Sequence, residues 1–121
     1  MKVKVFSFLL LALLSLSSCQ DKQETTMPAV LLPEPVMIDV MTDVQLMEGV
    51  IGYKRSSGQK SLYLKEVGYD SLFSHHGITD SIFIDNVRYY FESKPATMER
   101  VLDSVINRIS LMKDAIDNPA P

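Results

Sequence analysis

Two carboxylates are the first candidates for chemistry, because each lies among apolar residues in a segment with helical periodicity. On a helical projection, Glu48 falls at nearly the same angle as Met37 and Met41, and Asp43 falls between Val36 and Val50. An unpaired charge in apolar surroundings is costly, so each carboxylate is a candidate proton donor or ligand contact. Five residues separate the two, about 140° around a helix, so they cannot share one proton or one metal ion. The alternative is structural, an ion pair with Arg88, Arg100 or Arg108 or a bond to another helix's N-terminus.

The other candidate residues favour packing over chemistry. Tyr89 and Tyr90 could line a pocket or a partner surface, and core packing is the alternative. His75 and His76 are adjacent, about 100° apart on a helix, whereas helical zinc sites use histidines four residues apart. We therefore predict no metal, no cofactor and no catalytic residue.

The N-terminus has the pattern of an export signal. Lys2 and Lys4 precede the apolar run 6–14, which is followed by the tetrapeptide Leu-Ser-Ser-Cys ending at Cys19. This tetrapeptide resembles the lipobox of bacterial lipoproteins, in which a peptidase cuts before the cysteine and lipid caps its thiol and amine. The resemblance implies a signal peptide over residues 1–18 and a membrane attachment through lipid on Cys19.

The net charge and the cysteine content limit the partners and the crosslinks that we expect for this chain. Removal of residues 1–18 leaves 103 residues, enough for one domain, and takes the net charge from −3 to −5. An acidic domain repels polyphosphate, so nucleic acid is not an expected partner. We identify no Lys/Arg cluster that would face anionic lipid. Cys19 is the single cysteine, so the folded domain contains no disulfide.

Apolar periodicity divides the rest of the chain into a tether, a helical domain and a tail. Residues 19–35 contain three prolines and are predicted to form a flexible tether after the lipidated cysteine. The helical domain covers residues 36–117 and the tail covers 118–121. Helices are predicted over 35–53, 61–76, 80–93 and 96–117. The fold class is all-α, a small bundle of three to four helices.

The same periodicity predicts which helix faces are buried. The first helix is apolar on two sides, so we expect a central position that also buries Leu46, Val50 and Tyr53. Gly77 is expected to end the second helix, and Thr79 or Asp80 to cap the third. The fourth helix is expected to bury one complete apolar side: Met98, Val101, Leu102, Val105, Ile106, Ile109, Met112 and Ile116.

Segments 37–50, 69–79 and 83–109 together resemble a family of small Bacteroidetes lipoproteins, the domain of unknown function 4296 family. The shared features are a helical aspartate, a Gly-Ile-Thr turn, a Tyr-Tyr pair and a proline that opens the last helix. In this chain these are Asp43, residues 77–79, residues 89–90 and Pro95. The chain departs from the family pattern at Gln45 and Asn86. The resemblance implies the fold and the lipid-anchored location, and it implies no reaction.

Two functions follow as expectations. The first is a lipid-anchored, non-enzymatic interaction or scaffold module of the cell envelope, at the outer membrane on its periplasmic or surface face, with an envelope protein as partner. The alternative is a small-molecule-binding protein or enzyme with a pocket between helices around Asp43, Glu48 and Tyr90. An exposed apolar patch favours the first, and a cavity lined by these three residues favours the second.

Overall fold

Four α-helices form the domain in the computed structural model, which describes residues 25–119. They are α1 (Glu34–Ser56), α2 (Leu62–His75), α3 (Asp80–Ser93) and α4 (Pro95–Asp117), and residues 25–119 contain no strand. The predicted all-α class is confirmed, and each predicted helix boundary lies within three residues of the observed one. The predicted signal peptide, Cys19 and the first residues of the tether lie outside the described range. None of the four helices combines the length and the apolar content that crossing a membrane requires.

Local sequence signals explain where the helices begin and end. Pro35 and Pro95 lie in the first turns of α1 and α4, where the missing N–H of proline has no intrahelical partner to lose. The side chain of Thr79 accepts a hydrogen bond from the backbone N–H of Ile82 and so caps α3.

The turn between α2 and α3 is a Schellman motif centred on Gly77. The N–H of Ile78 bonds the carbonyl of Phe73, and the N–H of Gly77 bonds the carbonyl of Ser74. Gly77 has a φ of +66°, in the left-handed region that glycine adopts without a Cβ penalty. The turn directs Ile78 into the core and delivers the chain to the Thr79 cap.

Two connected clusters of buried residues form the core. The larger joins α1, α3 and α4 with a segment that precedes α1, and the smaller joins α1 with α2. Val36, Ile78 and Phe83 pack against both clusters. The buried members of the two clusters are Leu32, Met37, Val40, Met41, Leu72, Phe73, Tyr90, Met98, Val101 and Val105.

The helix directions follow from contacts that recur along α1. Glu34 pairs with Arg100 and, further along, Asp39 pairs with Arg108, so α1 and α4 run in the same direction. By contrast, α2 is antiparallel to α1. In the smaller cluster Val40 packs against the end of α2, whereas Met47, further along α1, lies against Gly68 in the middle of α2. The C-terminal ends of α1 and α4 and the start of α2 therefore lie at the same end of the bundle.

Several residues that were predicted to be buried are exposed. Leu46, Val50 and Tyr53 lie on an open side of α1, so the expected burial of this helix on two sides is wrong. On α4, the predicted apolar side is covered as far as Val105 and Ile109, while Ile106, Met112 and Ile116 are exposed.

Unequal helix lengths explain this pattern. Helices α1 and α4 have 23 residues each, about 34 Å, whereas α2 and α3 have 14 each, about 21 Å. Within residues 25–119, α2 packs on α1 and α3 but not on α4. Within this range α4 packs only on α1 and on the shorter α3, and the side chains of its last turns are exposed.

We predict that truncating a methionine of α4 lowers the free energy of unfolding by an amount that depends on the position of that methionine. Met98 is 1% exposed and Met112 is 41% exposed on the same side of the helix. Met98→Ala should lower the free energy of unfolding by about 2–5 kcal/mol, because it leaves a cavity in the larger cluster. The matched control, Met112→Ala, should lower it by less than about 1 kcal/mol. Urea denaturation followed by circular dichroism measures both, and equal losses would contradict this description of α4.

Candidate functional site

Among the buried polar side chains of residues 25–119, the amide of Asn86 on α3 makes the most hydrogen bonds. Its Oδ1 accepts a hydrogen bond from the backbone N–H of Leu32 at 2.8 Å. Its Nδ2 donates to the carbonyl of Val30 at 2.7 Å and to that of Ile82, one turn back in the helix, at 2.8 Å. The amide thus supplies hydrogen bonds to a backbone segment that lies outside any helix.

Residues 25–33, which we call the strap, are fixed at further points. Tyr90 donates its hydroxyl to the carbonyl of Leu32 at 2.7 Å, and the Leu32 side chain is buried in the larger cluster. Thr25 hydrogen-bonds Glu92 on the surface of α3. Residues 30–32 therefore belong to the folded domain, and the predicted tether boundary at residue 35 lies too late in the chain.

The two tyrosines of the Tyr-Tyr pair have different environments. Tyr90 is buried, and loss of solvent, followed by the nearby charge of Glu34, raises its pKa. Tyr89 is half-buried, and its ring meets that of Tyr90 edge to face at 5.9 Å. Of the two alternatives for this pair, Tyr90 matches core packing, and its hydroxyl is occupied by the strap.

Asp43 pairs with a histidine and not with an arginine. Its Oδ2 lies 2.7 Å from Nε2 of His76, the residue that ends α2. The His76 side chain is 14% exposed and that of Asp43 is 44% exposed, so the pair lies at the edge of the core. The predicted arginine partners bind other carboxylates: Arg88 pairs with Asp85, Arg100 with Glu34 and Arg108 with Asp39.

Glu48 also has a partner on α2. It accepts a hydrogen bond from the hydroxyl of Tyr69 at the exposed side of the α1–α2 contact. Burial, the hydrogen bond to Glu48 and the negative charge of Glu48 together raise the pKa of Tyr69 to about 12. The Glu48–Tyr69 and Asp43–His76 pairs both fasten α2 to α1.

The predicted site residues therefore do not converge on one site. Asp43 and Glu48 have separate partners on α2, and Tyr90 bonds the strap. Among residues 25–119, no group of three or more His, Cys, Asp or Glu side chains is placed to hold a metal ion. Cys19, the predicted lipidation site, lies outside the described range.

Asn86 is the residue whose role was not predicted from sequence. The sequence contains a signal for this role, since Asn86 falls three residues after Phe83 and four before Tyr90 and so shares a helix face with two aromatic residues. A buried amide needs hydrogen-bond partners. Its partners in the strap could not be identified, because those residues precede α1 and were counted as tether.

The surface also carries exposed apolar side chains at the end of the bundle that α1, α2 and α4 share. We call residues 106–117 of α4 the α4 end; its exposed apolar side chains are Ile106, Leu111, Met112 and Ile116. We call residues 53–65, which join α1 to α2, the tip; its exposed apolar side chains are Tyr53, Leu62 and Tyr63.

Comparison with known families adds one match. A family model described as domain of unknown function (DUF4296) matches residues 28–115. The matched range begins before α1 and includes most of the strap. No curated protein matches the chain, and no solved structure matches it.

We predict that Asn86→Ala releases the strap. The substitution leaves the N–H of Leu32 and the carbonyl of Val30 without partners, which should lower the free energy of unfolding by about 1–3 kcal/mol. Amide hydrogen exchange at Leu32 should accelerate more than exchange within α2. Asn107→Ala, on the exposed side of α4, is the control and should change stability by less than about 0.5 kcal/mol. Unchanged exchange at Leu32 in Asn86→Ala would contradict the role of the amide.

We predict that Tyr69 makes stability fall at high pH. Tyr69 ionises near its ordinary pKa of 10.0 in the unfolded chain but only at about 12 in the folded one. Between these values the folded state holds the proton that the unfolded state has released, so the free energy of unfolding decreases as pH rises from 10 to 12. Tyr69→Phe should reduce this decrease and remove the last step of the tyrosinate absorbance titration, whereas exposed Tyr53→Phe should leave that step in place. A titration unaffected by Tyr69→Phe would disprove the assignment.

Proposed function

We propose that this chain, which belongs to the domain of unknown function (DUF4296) family, is a lipid-anchored, non-enzymatic interaction module. In this proposal it docks on another protein of the cell envelope. The family description assigns no activity. The proposed location therefore depends on the N-terminal sequence, and the proposed docking depends on the exposed surface of the bundle.

The N-terminal sequence supports a lipid anchor at Cys19. The basic residues, the apolar run and the Leu-Ser-Ser-Cys tetrapeptide follow one another within nineteen residues. In this proposal a lipid on Cys19 holds the domain at the outer membrane, on its periplasmic or surface face. Residues 20–24 then connect the lipid to the strap.

The α4 end is the observation that carries the docking proposal. Ile109, Met112 and Ile116 lie at i, i+3 and i+7, the spacing with which an amphipathic helix enters an apolar groove. Ile109 is half-buried against the larger cluster, whereas Met112 and Ile116 continue the same stripe into solvent. Exposed apolar side chains that continue a core stripe favour a partner surface. The partner proposed is an envelope protein with an apolar groove that receives this helix end.

The separation of the polar residues favours binding over catalysis. An acid–base site needs groups within hydrogen-bond reach of one reacting atom. Asp43, Glu48 and Tyr90 instead bond His76, Tyr69 and the strap. This arrangement counts against the alternative of a ligand pocket built around these three residues.

Site-specific photo-crosslinking in cells tests the docking proposal. A photoreactive phenylalanine analogue at Ile116 should form a discrete adduct with one envelope protein, and Met112→Glu should abolish that adduct because a charge cannot enter an apolar groove. The same analogue at Phe91, an exposed apolar position on α3, is the matched control and should form no such adduct.

Cys19→Ser provides the test of location in the same experiment. Without the thiol, no thioether to lipid can form, so the chain should leave the envelope fraction and the adduct should disappear. Identical adducts from Ile116 and Phe91, or an adduct that Met112→Glu leaves unchanged, would refute docking through the α4 end. Retention of full-length Cys19→Ser in the envelope would refute the anchor.

A further inference from the structure

We propose that the tip is a second membrane contact, which binds a surface of anionic phospholipids. The inference rests on the envelope location of the proposed function and is independent of the protein partner at the α4 end. It assigns a ligand class to a surface that the docking proposal does not use.

The tip is basic, whereas the rest of the domain is acidic. Lys54, Arg55, Lys60 and Lys65 fall within twelve residues that contain no Asp or Glu, while the remainder of residues 19–121 has a net charge of −9. None of these four cations forms an ion pair with another residue of the described range. The nearest acidic residue along the chain is Glu66, which follows Lys65 directly.

The fold places these four cations together at the connection between α1 and α2. Lys54 and Arg55 lie in the last turn of α1, and Lys65 lies in the first turn of α2. The connection between them is held by a hydrogen bond from the N–H of Gln59 to the carbonyl of Lys54 and by a positive φ at Gly58. No Lys/Arg cluster that would face anionic lipid was expected from the sequence, because residues 54–60 lie between two predicted helices and Lys65 lies within the second. The four cations come together only in the fold.

Apolar side chains project from the same surface. Tyr53 is 70% exposed, Leu62 is 70% exposed and Tyr63 is 76% exposed. Tyrosine beside lysine and arginine is characteristic of the membrane–water interface, where the ring enters the headgroup region and the cations stay with lipid phosphates.

A lipid surface suits the tip better than an acidic protein does. A stable protein interface buries about 800 Å² on each partner, more than a convex turn with three apolar side chains offers. A bilayer has no fixed shape to match, and each basic residue near an anionic surface adds attraction. The acidic remainder is repelled by the same lipids, which confines the contact to the tip.

The dimensions of the domain allow both ends to reach one bilayer. The strap and the tip lie at opposite ends of α1, about 34 Å apart. Six residues from Cys19 to Thr25 reach at most about 20 Å, so a domain lying with α1 along the membrane can be held at both ends. A lipid anchor also keeps the tip at high effective concentration near the bilayer, so that a weak contact is populated.

A single tryptophan reports insertion of the tip. The chain contains no tryptophan, so Tyr63→Trp introduces the only one. The lipidated protein is reconstituted in vesicles with brominated acyl chains, made either of phosphatidylcholine alone or of phosphatidylcholine with phosphatidylglycerol. In the anionic vesicles we expect a blue shift and strong quenching of the emission, and in the neutral vesicles neither. Raising the salt concentration should reverse the effect, because salt screens the attraction between the cations and the lipid.

Two control proteins define the contact. Phe91→Trp places the reporter on α3 and should be quenched in neither kind of vesicle, since that surface is not part of the tip. In the Tyr63→Trp background, replacing Lys54, Arg55, Lys60 and Lys65 by glutamine should abolish the anionic-lipid effect. Each single replacement should weaken the tip–membrane equilibrium by about fivefold.

The outcomes distinguish this inference from the proposed function. Equal emission of Tyr63→Trp in neutral and anionic vesicles would overturn the membrane contact, as would quenching that the four glutamines leave unchanged. A protein adduct formed in cells by a photoreactive residue at position 63, abolished by the four glutamines, together with no response of Tyr63→Trp to lipid, would favour an acidic protein instead and would also overturn the membrane contact. Failure of the protein to float with neutral vesicles would refute the lipid anchor, whereas quenching in added anionic vesicles would still support the tip.

Discussion

A buried amide on α3 connects the beginning of the domain to the rest of it. Peptide groups removed from water must be hydrogen-bonded, and the backbone before α1 has no helix or strand to supply partners. Asn86 supplies both an acceptor and a donor to this backbone, and the Tyr90 hydroxyl supplies a second donor. Because these bonds are satisfied, Leu32 can enter the cluster formed with Met98 and Val101. The closure of the core at this end therefore depends on two polar side chains of α3, Asn86 and Tyr90.

The residues that carry the family resemblance have structural roles in this chain. Residues 77–79 end one helix and cap the next, Pro95 opens α4, and Tyr90 bonds the strap. Asp43, the helical aspartate, pairs with His76 and joins α1 to α2. Membership of the family thus accounts for the architecture without specifying a reaction. Our proposals therefore place the function in surfaces that the architecture leaves uncovered.

Those surfaces arise from the mismatch between two long and two short helices. The short helices cover the beginning of α4 and one side of α1, and they leave the α4 end and the tip at the far end of the bundle. The two surfaces differ in chemistry: the α4 end is an apolar stripe that suits a protein groove, and the tip combines cations with tyrosines that suit lipid. In our proposals the domain lies on the membrane through its two ends and keeps the α4 end free for a partner.

The sequence by itself determined the all-α class and the ends of the helices, because periodicity, prolines, Gly77 and Thr79 act within a few residues of the chain. It also identified Asp43 and Glu48 as charged groups that needed partners, and Tyr90 as a residue of a pocket or of the core. The tertiary structure alone decided which partners they have, that Asn86 holds the strap, and which apolar residues stay exposed. These outcomes depend on contacts between residues 21 to 58 positions apart, and on helix lengths compared across the bundle, which no local pattern contains.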